Sequence, residues 1–184
     1  MAPRPDHVFD VLVVGGGPSG AACAYWLADA GWDVAVVEKK TFPREKTCGD
    51  GLTPRAVRQL ADMGLEDALT GAHRYRGLRS VAFGRTLELS WPEVPGFPAY
   101  GYTITRHDLD AIVIGRAEKA GATVWQGTEA LDPLEPAQPS AGALAGCAGA
   151  TLAAKDPEVP GEVRARYVVV ADGANSRFGR ALGT

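Results

Sequence analysis

The stretch VLVVGGGPSG, from Val11 to Gly20, decides the fold of this chain. Four apolar residues typical of a buried strand run directly into three glycines, and Pro18 stands where a helix begins. Gly15, Gly17 and Gly20 follow the spacing G-x-G-x-x-G. In that pattern the first glycine permits a tight turn, the second admits a pyrophosphate to the backbone, and the third lets the helix pack closely on the strand. The N–H groups and the dipole of the helix N-terminus would then face the phosphates.

An acidic residue further along supports this interpretation. The predicted helix ends at Gly31, and a second apolar strand, DVAVV from Asp33, ends on Glu38. Glu38 follows Gly20 by 18 positions, where a carboxylate can bind the ribose hydroxyl groups of an adenine dinucleotide. Glycine-rich turns also occur for geometry alone, and an acid can simply begin a solvated turn. The two signals together favour an adenine dinucleotide site over that alternative.

The composition restricts the remaining classes of function. The 184 residues are 46% hydrophobic and 22% charged, as in an ordinary globular protein. A net charge of −3 argues against a nucleic-acid partner, and no apolar run is long enough to predict a membrane span. The polar N-terminus predicts no secretory signal, and Cys23, Cys48 and Cys147 are too widely spaced for a disulfide framework or a zinc site. We therefore expect reduced thiols and a cytoplasmic location.

A long polar loop follows the second strand and contains CGDG at positions 48–51. Loops of this length are usually functional or disordered, and two glycines around Asp50 indicate a close backbone approach or a positive φ. The loop is therefore a candidate part of the site, although Cys48 would also suit a buried structural thiol. Arg44 and Lys46 could be solvated charges or could lie near phosphate, and the sequence does not decide between the two.

Further helices and strands follow in alternation. Thr53-Pro54 and Thr105 are predicted to begin two helices, which end at Gly64 and Gly121. A strand at 122–125 follows the second helix directly. This rhythm of helix, glycine and strand predicts an α/β protein.

Two stretches depart from that rhythm. Alternating apolar residues from Tyr75 to Leu89 predict a β-hairpin across a Gly84-Arg85 turn, and a short strand is predicted at 100–104. Residues 133–161 are rich in Ala, Gly and Pro, and predict either a weak hairpin or a loosely ordered surface insertion. A small β region is therefore inserted into the α/β pattern.

The last predicted strand, 162–170, contains the apolar run YVVV, which is typical of a parallel strand buried on both faces. Asp172-Gly173 follows it beside a helix start. A second carboxylate would thus lie at the carboxyl edge of the sheet, where open α/β sheets bind ligands. We expect a Rossmann-like parallel sheet with an inserted β-hairpin region.

Five motifs together carry a resemblance to a known family. They are GGGPSG from Gly15, Glu38 at the end of the second strand, FPREKTCGDGLTPRAV from Phe42 to Val57, TRHDLD from Thr105 to Asp110, and VVADGANSRFGR from Val169 to Arg180. The chain resembles the N-terminal part of the geranylgeranyl reductase family of FAD-dependent oxidoreductases, which share a fold with p-hydroxybenzoate hydroxylase. Within it, the chain is most similar to actinobacterial reductases of isoprenoid side chains, including the menaquinone chain.

The resemblance implies a set of FAD-binding residues and no metal site. The pyrophosphate would be held by Gly15, Gly17 and Gly20, and the adenosine ribose by Glu38. The isoalloxazine would lie beside Cys48, Gly49 and Gly51, while Arg106 would reach the cofactor and Ala130 would offer its backbone to the adenine. Asp172-Gly173 resembles a second fingerprint of the family. No catalytic residue is assigned.

The resemblance also implies a function: a flavoprotein that reduces isoprenoid C=C bonds of geranylgeranyl or menaquinone chains, with NAD(P)H as a candidate reductant. Two alternatives stay open. One is an FAD-dependent aromatic monooxygenase or halogenase, although the tryptophan-rich motif expected of a halogenase is not found. The other is a non-catalytic remnant of the fold. The lipid-like substrate leaves peripheral membrane contact open.

The family's fold also predicts the domain organisation. Residues 1–184 would form the N-terminal portion of an FAD/NAD(P)-binding domain, with 75–103 contributing to a β region on the substrate side and 133–161 a surface insertion. Family members continue well past the position of Thr184, with further flavin contacts. We therefore expect a truncated form or a fragment in which the C-terminal part of the family fold is absent.

Overall fold

The computed structural model describes residues 7–48, 50–135 and 148–183. In chain order the elements are β1 (Val8–Val14), α1 (Pro18–Asp29), β2 (Val34–Glu38), β3 (Gly51–Leu52), α2 (Pro54–Asp62), a 3₁₀ turn (Asp67–Leu69), β4 (His73–Tyr75), β5 (Gly77–Ala82), β6 (Arg85–Ser90), β7 (Gly101–Thr103), α3 (Arg106–Lys119), β8 (Thr123–Gln126), β9 (Thr128–Pro133), β10 (Gly149–Ala154), β11 (Glu162–Val170) and α4 (Arg177–Ala181).

Six strands form the main sheet, in the order β8-β2-β1-β11-β10-β9. The first four are parallel, whereas β10 runs antiparallel to both of its neighbours. The predicted α/β fold with a Rossmann-like parallel sheet is confirmed. Within the described residues, no helix is long and apolar enough to cross a membrane.

The middle of the sheet packs on both faces because 11–14 of β1 and 34–37 of β2 are apolar at every position. Val13 and Val36 point to one face, where they pack with residues of α1, α2 and α3. Leu12 and Val37 point to the other, where they pack with residues of β10, β11 and α4. Alternation along a strand thus supplies two apolar clusters from the same few residues. The carboxyl ends of β1 and β2 are fixed between these layers.

The predicted helix boundaries are confirmed by their caps. The hydroxyl of Thr53 accepts a hydrogen bond from the Ala56 N–H, and that of Thr105 accepts one from the Asp108 N–H. Gly64 and Gly121 end the two helices with φ values of 71° and 111°. Such values favour glycine, since a Cβ would be strained there. The position of α3, which carries Arg106 at its first turn, is therefore set locally by Thr105.

The prediction that the last strand is buried on both faces is wrong for its second half. Tyr167 is 61% exposed and Val170 is 38% exposed. β10 pairs with β11 only from Glu162 to Arg164, so the later residues of β11 pair with β1 alone among the described strands. Within the run YVVV, Val168 and Val169 pack against the two apolar clusters, one on each face, whereas Tyr167 and Val170 are exposed.

The weak hairpin or surface insertion at residues 133–161 stays a prediction, since β10 is the one strand that lies inside the described part of this range. β10 pairs antiparallel with β9 and joins the main sheet through β11. The sequence analysis did not predict β9, because Gly127, with φ of 66°, separates it from β8 by a single residue. Residues 136–147, which include Cys147, lie outside the described residues.

A second β region contains a three-stranded sheet, β3-β7-β4, and the predicted hairpin, β5-β6. The hairpin turn consists of Phe83 and Gly84, with φ of 51° and 71°, and not of Gly84 and Arg85. Positive φ at both central positions is typical of a type I′ turn, and the turn lies one residue earlier than predicted. The assignment of residues 75–103 to a substrate side stays a prediction.

Two glycine substitutions should change stability in opposite directions. A Cβ on Gly20 would overlap with the Gly15 carbonyl oxygen, whereas a Cβ on Gly115, inside α3, would have no heavy atom within 4 Å. We expect Gly20→Ala to destabilise the fold by about 1–3 kcal/mol through overpacking. Gly115→Ala should stabilise it by about 0.5–1 kcal/mol through its helix propensity. Urea unfolding measures both, and equal shifts would contradict the close packing at Gly20.

Candidate functional site

The three glycines of the first turn do different things in the structure. Gly15 has φ of 103°, and a Cβ there would collide with the backbone of Ala171. A Cβ on Gly20 would likewise collide with the carbonyl oxygen of Gly15. A Cβ on Gly17, in contrast, would meet only Arg44 Nη2, at 3.7 Å. Gly15 and Gly20 therefore allow close packing within the protein, while Gly17 leaves space for a ligand to reach the backbone.

The N-terminus of α1 is suited to an anion in that space. Gly17 is the N-cap, so no side chain caps the helix, and the first turn contains no acidic residue. The free N–H groups and the positive end of the helix dipole are thus not offset by a local carboxylate. A diphosphate is the kind of group that this arrangement binds. The residues present therefore fit the dinucleotide predicted from the sequence.

Glu38 lies at the end of β2 and faces the same turn. Its side chain is buried, with Oε2 accepting a hydrogen bond of 2.9 Å from the Gly16 N–H. Oε1 accepts a second, also of 2.9 Å, from the Lys40 N–H. The carboxylate is thereby fixed beside the glycines and helps to hold their turn. The sequence pattern indicated its position but not this second, structural task.

The loop that contains Cys48 is attached to the start of α3. Asp50 accepts hydrogen bonds from two N–H groups there: its Oδ1 from Arg106, at 3.2 Å, and its carbonyl from Ile104, at 2.9 Å. Gly51 begins β3 and pairs with Thr103. Cys48 is exposed, so the alternative of a buried structural thiol is wrong. Gly49 lies outside the described residues.

Arg106 is held by a buried carboxylate that the sequence analysis missed. Its guanidinium donates to both oxygens of Asp110, at 2.6 and 2.9 Å, and Asp110 is completely buried. This pairing raises the pKa of Arg106 above its usual value, against the opposing effect of burial, and the nearby Cys48 adds to the increase. Arg106 therefore stays charged. The four-residue spacing of Arg and Asp in TRHDLD was the available signal, since residues four apart share a helix face.

The sequence does not decide whether Arg44 and Lys46 are solvated charges or lie near phosphate. The structure places the two side chains in different surroundings. Lys46 is exposed, as a solvated charge would be. Only 15% of the Arg44 side chain is exposed, and its Nη2 lies 3.3 Å from Asp110 Oδ2. Asp110 thus joins two guanidinium groups, one from the loop and one from α3. The solvated-charge alternative does not hold for Arg44.

Two further predicted positions lie around the sheet ends. Ala130, on β9, packs against the cluster that includes Val37 of β2, because β9 folds back onto that strand. Its role at an adenine stays a prediction. Asp172 lies beside Gly15, lines a cavity of about 550 Å³ with Ser176 and Arg180, and has a buried Oδ1 without a hydrogen-bond partner in the described chain. The end of β11 thus borders a concave region that contains the Asp172 carboxylate.

Comparisons with known proteins identify the family and the fold of this chain. Residues 8–184 match the FAD binding domain family. The chain is 44% identical over 178 residues to the menaquinone reductase of Mycobacterium tuberculosis, an alignment that covers 97% of this chain and 41% of that protein. The resemblance to reductases of this kind, found from the sequence motifs, is confirmed.

Solved structures give the same result for the fold. A geranylgeranyl bacteriochlorophyll reductase-like protein from Thermoplasma acidophilum superposes with a TM-score of 0.78 at 28% identity, covering 97% of this chain and 42% of that one. The myxobacterial FAD-dependent halogenase CndH superposes with a TM-score of 0.80 at 27% identity, covering 95% and 39%. The chain spans about two fifths of the length of these relatives. Because the family match runs from β1 to the last residue, the protein belongs to the FAD binding domain family.

Proposed function

We propose that this chain is the FAD-binding part of a flavin-dependent reductase that acts on isoprenoid C=C bonds, in a geranylgeranyl or menaquinone side chain. The observation that carries the proposal is the open space at Gly17, next to a helix N-terminus without acidic residues and the buried Glu38. The 44% identity to a menaquinone reductase supports the choice of substrate class. When bound, FAD supplies the hydride chemistry.

The residues of the chain bind and orient the cofactor in this proposal. The pyrophosphate would be held by Gly15, Gly17 and Gly20, and the adenosine ribose by Glu38. The isoalloxazine would be held beside Cys48, Gly49 and Gly51, and the adenine by the backbone of Ala130. Arg106, whose charge is fixed by Asp110, would bind the cofactor, and NAD(P)H is the proposed reductant. Contact with a membrane surface would follow from the lipid-like substrate.

A halogenase or aromatic monooxygenase is the second candidate, because CndH shares the fold with a TM-score of 0.80. The identity to CndH is 27%, lower than the 44% to the menaquinone reductase. A fold supports many chemistries, so fold similarity alone is the weaker argument. A non-catalytic FAD-binding remnant is the third candidate.

The reaction itself can be tested directly. A form of the protein extended to the full length of its relatives is incubated with FAD, NADPH or dithionite, and a menaquinone or geranylgeranyl lipid without oxygen, and the lipid is analysed by mass spectrometry. The proposal expects a gain of one H₂ for each reduced double bond. FAD binding with no change in any lipid would support the non-catalytic candidate. Halide incorporation into an aromatic substrate, in the presence of oxygen, would support the halogenase instead.

Gly17→Ala should weaken FAD binding without unfolding the protein. The new Cβ would have only ordinary van der Waals contact with Arg44, so the fold should lose no more than about 1 kcal/mol, from the poorer N-cap. The same Cβ would occupy the space required by the pyrophosphate. We expect an affinity loss of at least about tenfold by fluorescence titration. If the variant and the parent bound FAD with equal affinity, the pyrophosphate would not bind at Gly17.

Glu38→Gln should weaken the binding of FAD more than that of FMN, because FMN has no adenosine ribose. The amide keeps one oxygen acceptor, but it loses the charge and one of the two backbone hydrogen bonds. Titration of both flavins separates the two tasks of this residue. If both affinities fell by the same factor, Glu38 would act only by holding the glycine turn.

A further inference from the structure

We propose that Arg44 is a phosphate-binding residue, whose guanidinium contacts the diphosphate of the bound dinucleotide. The inference rests on the proposed FAD site and adds to it a residue outside the set implied by the family resemblance. It begins from position. Arg44 Nη2 is the nearest atom that a Cβ on Gly17 would meet, at 3.7 Å. The guanidinium therefore borders the space that the glycine turn leaves open for a phosphate.

The second argument is burial without full pairing. Arg44 has 15% of its side chain exposed, and its Nε is buried with no hydrogen-bond partner among the described residues. An arginine has five N–H donors, and a buried donor left unpaired costs free energy. Glu38 Oε1 lies 4.0 Å from this Nε, which is too far for a hydrogen bond. The guanidinium is thus incompletely paired, and its Nη2 end, not the buried Nε, borders the space at Gly17.

The third argument is charge. One buried carboxylate, Asp110, faces the guanidinium groups of both Arg44 and Arg106. Glu38 is a second carboxylate beside Arg44, but its Oε1 lies 4.0 Å from Nε, and each of its oxygens already accepts a hydrogen bond from a backbone N–H. An anion placed between Gly17 and Arg44 would give this guanidinium an acceptor in addition to Asp110. Arginine suits this task, since its planar fork matches two phosphate oxygens at once.

The guanidinium is also held in place before any ligand arrives. Asp110 Oδ2 lies 3.3 Å from Nη2, and the Phe42 ring lies 5.1 Å below the guanidinium carbon. Asp110 is itself fixed by Arg106 on the same helix. A side chain restrained in this way loses less conformational entropy on binding than a free surface arginine. The arrangement is therefore suited to binding and not only to joining the loop to α3.

The test compares three probes that differ in their phosphates: FAD, ADP and adenosine. ADP and adenosine share the base and ribose, so their difference isolates the diphosphate. Arg44→Gln should weaken FAD and ADP by about 10- to 100-fold, as expected for hydrogen bonds to a charged group, and leave adenosine unchanged. Arg44→Lys, which keeps the charge but loses the fork, should show the same selectivity with a smaller loss. The lysine variant also tests the proposal if the glutamine variant does not fold.

Arg79→Gln is the matched control, since it removes the same charge from an exposed pair with Glu88 on the hairpin. It should leave all three affinities unchanged. Unchanged ADP affinity in both Arg44 variants, or equal losses for ADP and adenosine, would overturn the inference and leave the FAD site standing. A parent protein that binds neither FAD nor ADP would overturn the proposed function together with the inference.

Discussion

The close packing of α1 on the end of β1 is the constraint on which the site depends. The helix can start where it does because Gly20 lets it lie against the Gly15 carbonyl, and Gly15 in turn lies against the backbone that follows β11. The turn between β1 and α1 and the sequence-distant backbone after β11 are thus brought to one point without side chains between them. The open space at Gly17 is the result, since the backbone around it is fixed while the position itself carries no Cβ.

A buried group of charges extends this site toward α3. Asp110 is completely buried, and it draws a guanidinium from the loop after β2 and another from its own helix. Removing Asp110 would leave two largely buried guanidinium groups without this carboxylate, which is strongly destabilising. The loop that carries Cys48 is consequently fixed to the first turn of α3, where Asp50 also accepts the Arg106 N–H.

The comparisons show what this part of the molecule has in common with its relatives. A reductase-like protein and a halogenase superpose on the same residues with TM-scores of 0.78 and 0.80. The shared part is the FAD binding domain, so its geometry serves more than one flavin chemistry. The substrate class proposed for this chain accordingly rests on sequence identity to a menaquinone reductase and not on the fold.

The sequence by itself determined the elements whose signals are local. The glycine turn, the caps at Thr53 and Thr105, and the strand that ends on Glu38 follow from spacing, side-chain capping and periodicity within a few residues. The tertiary structure alone decided what depends on distant partners. Tyr167 is exposed although it lies in an apolar run, and Asp110 pairs with Arg44, which lies 66 positions earlier in the chain. Burial and ion pairs between distant segments depend on how the chain folds, so no local pattern predicts them.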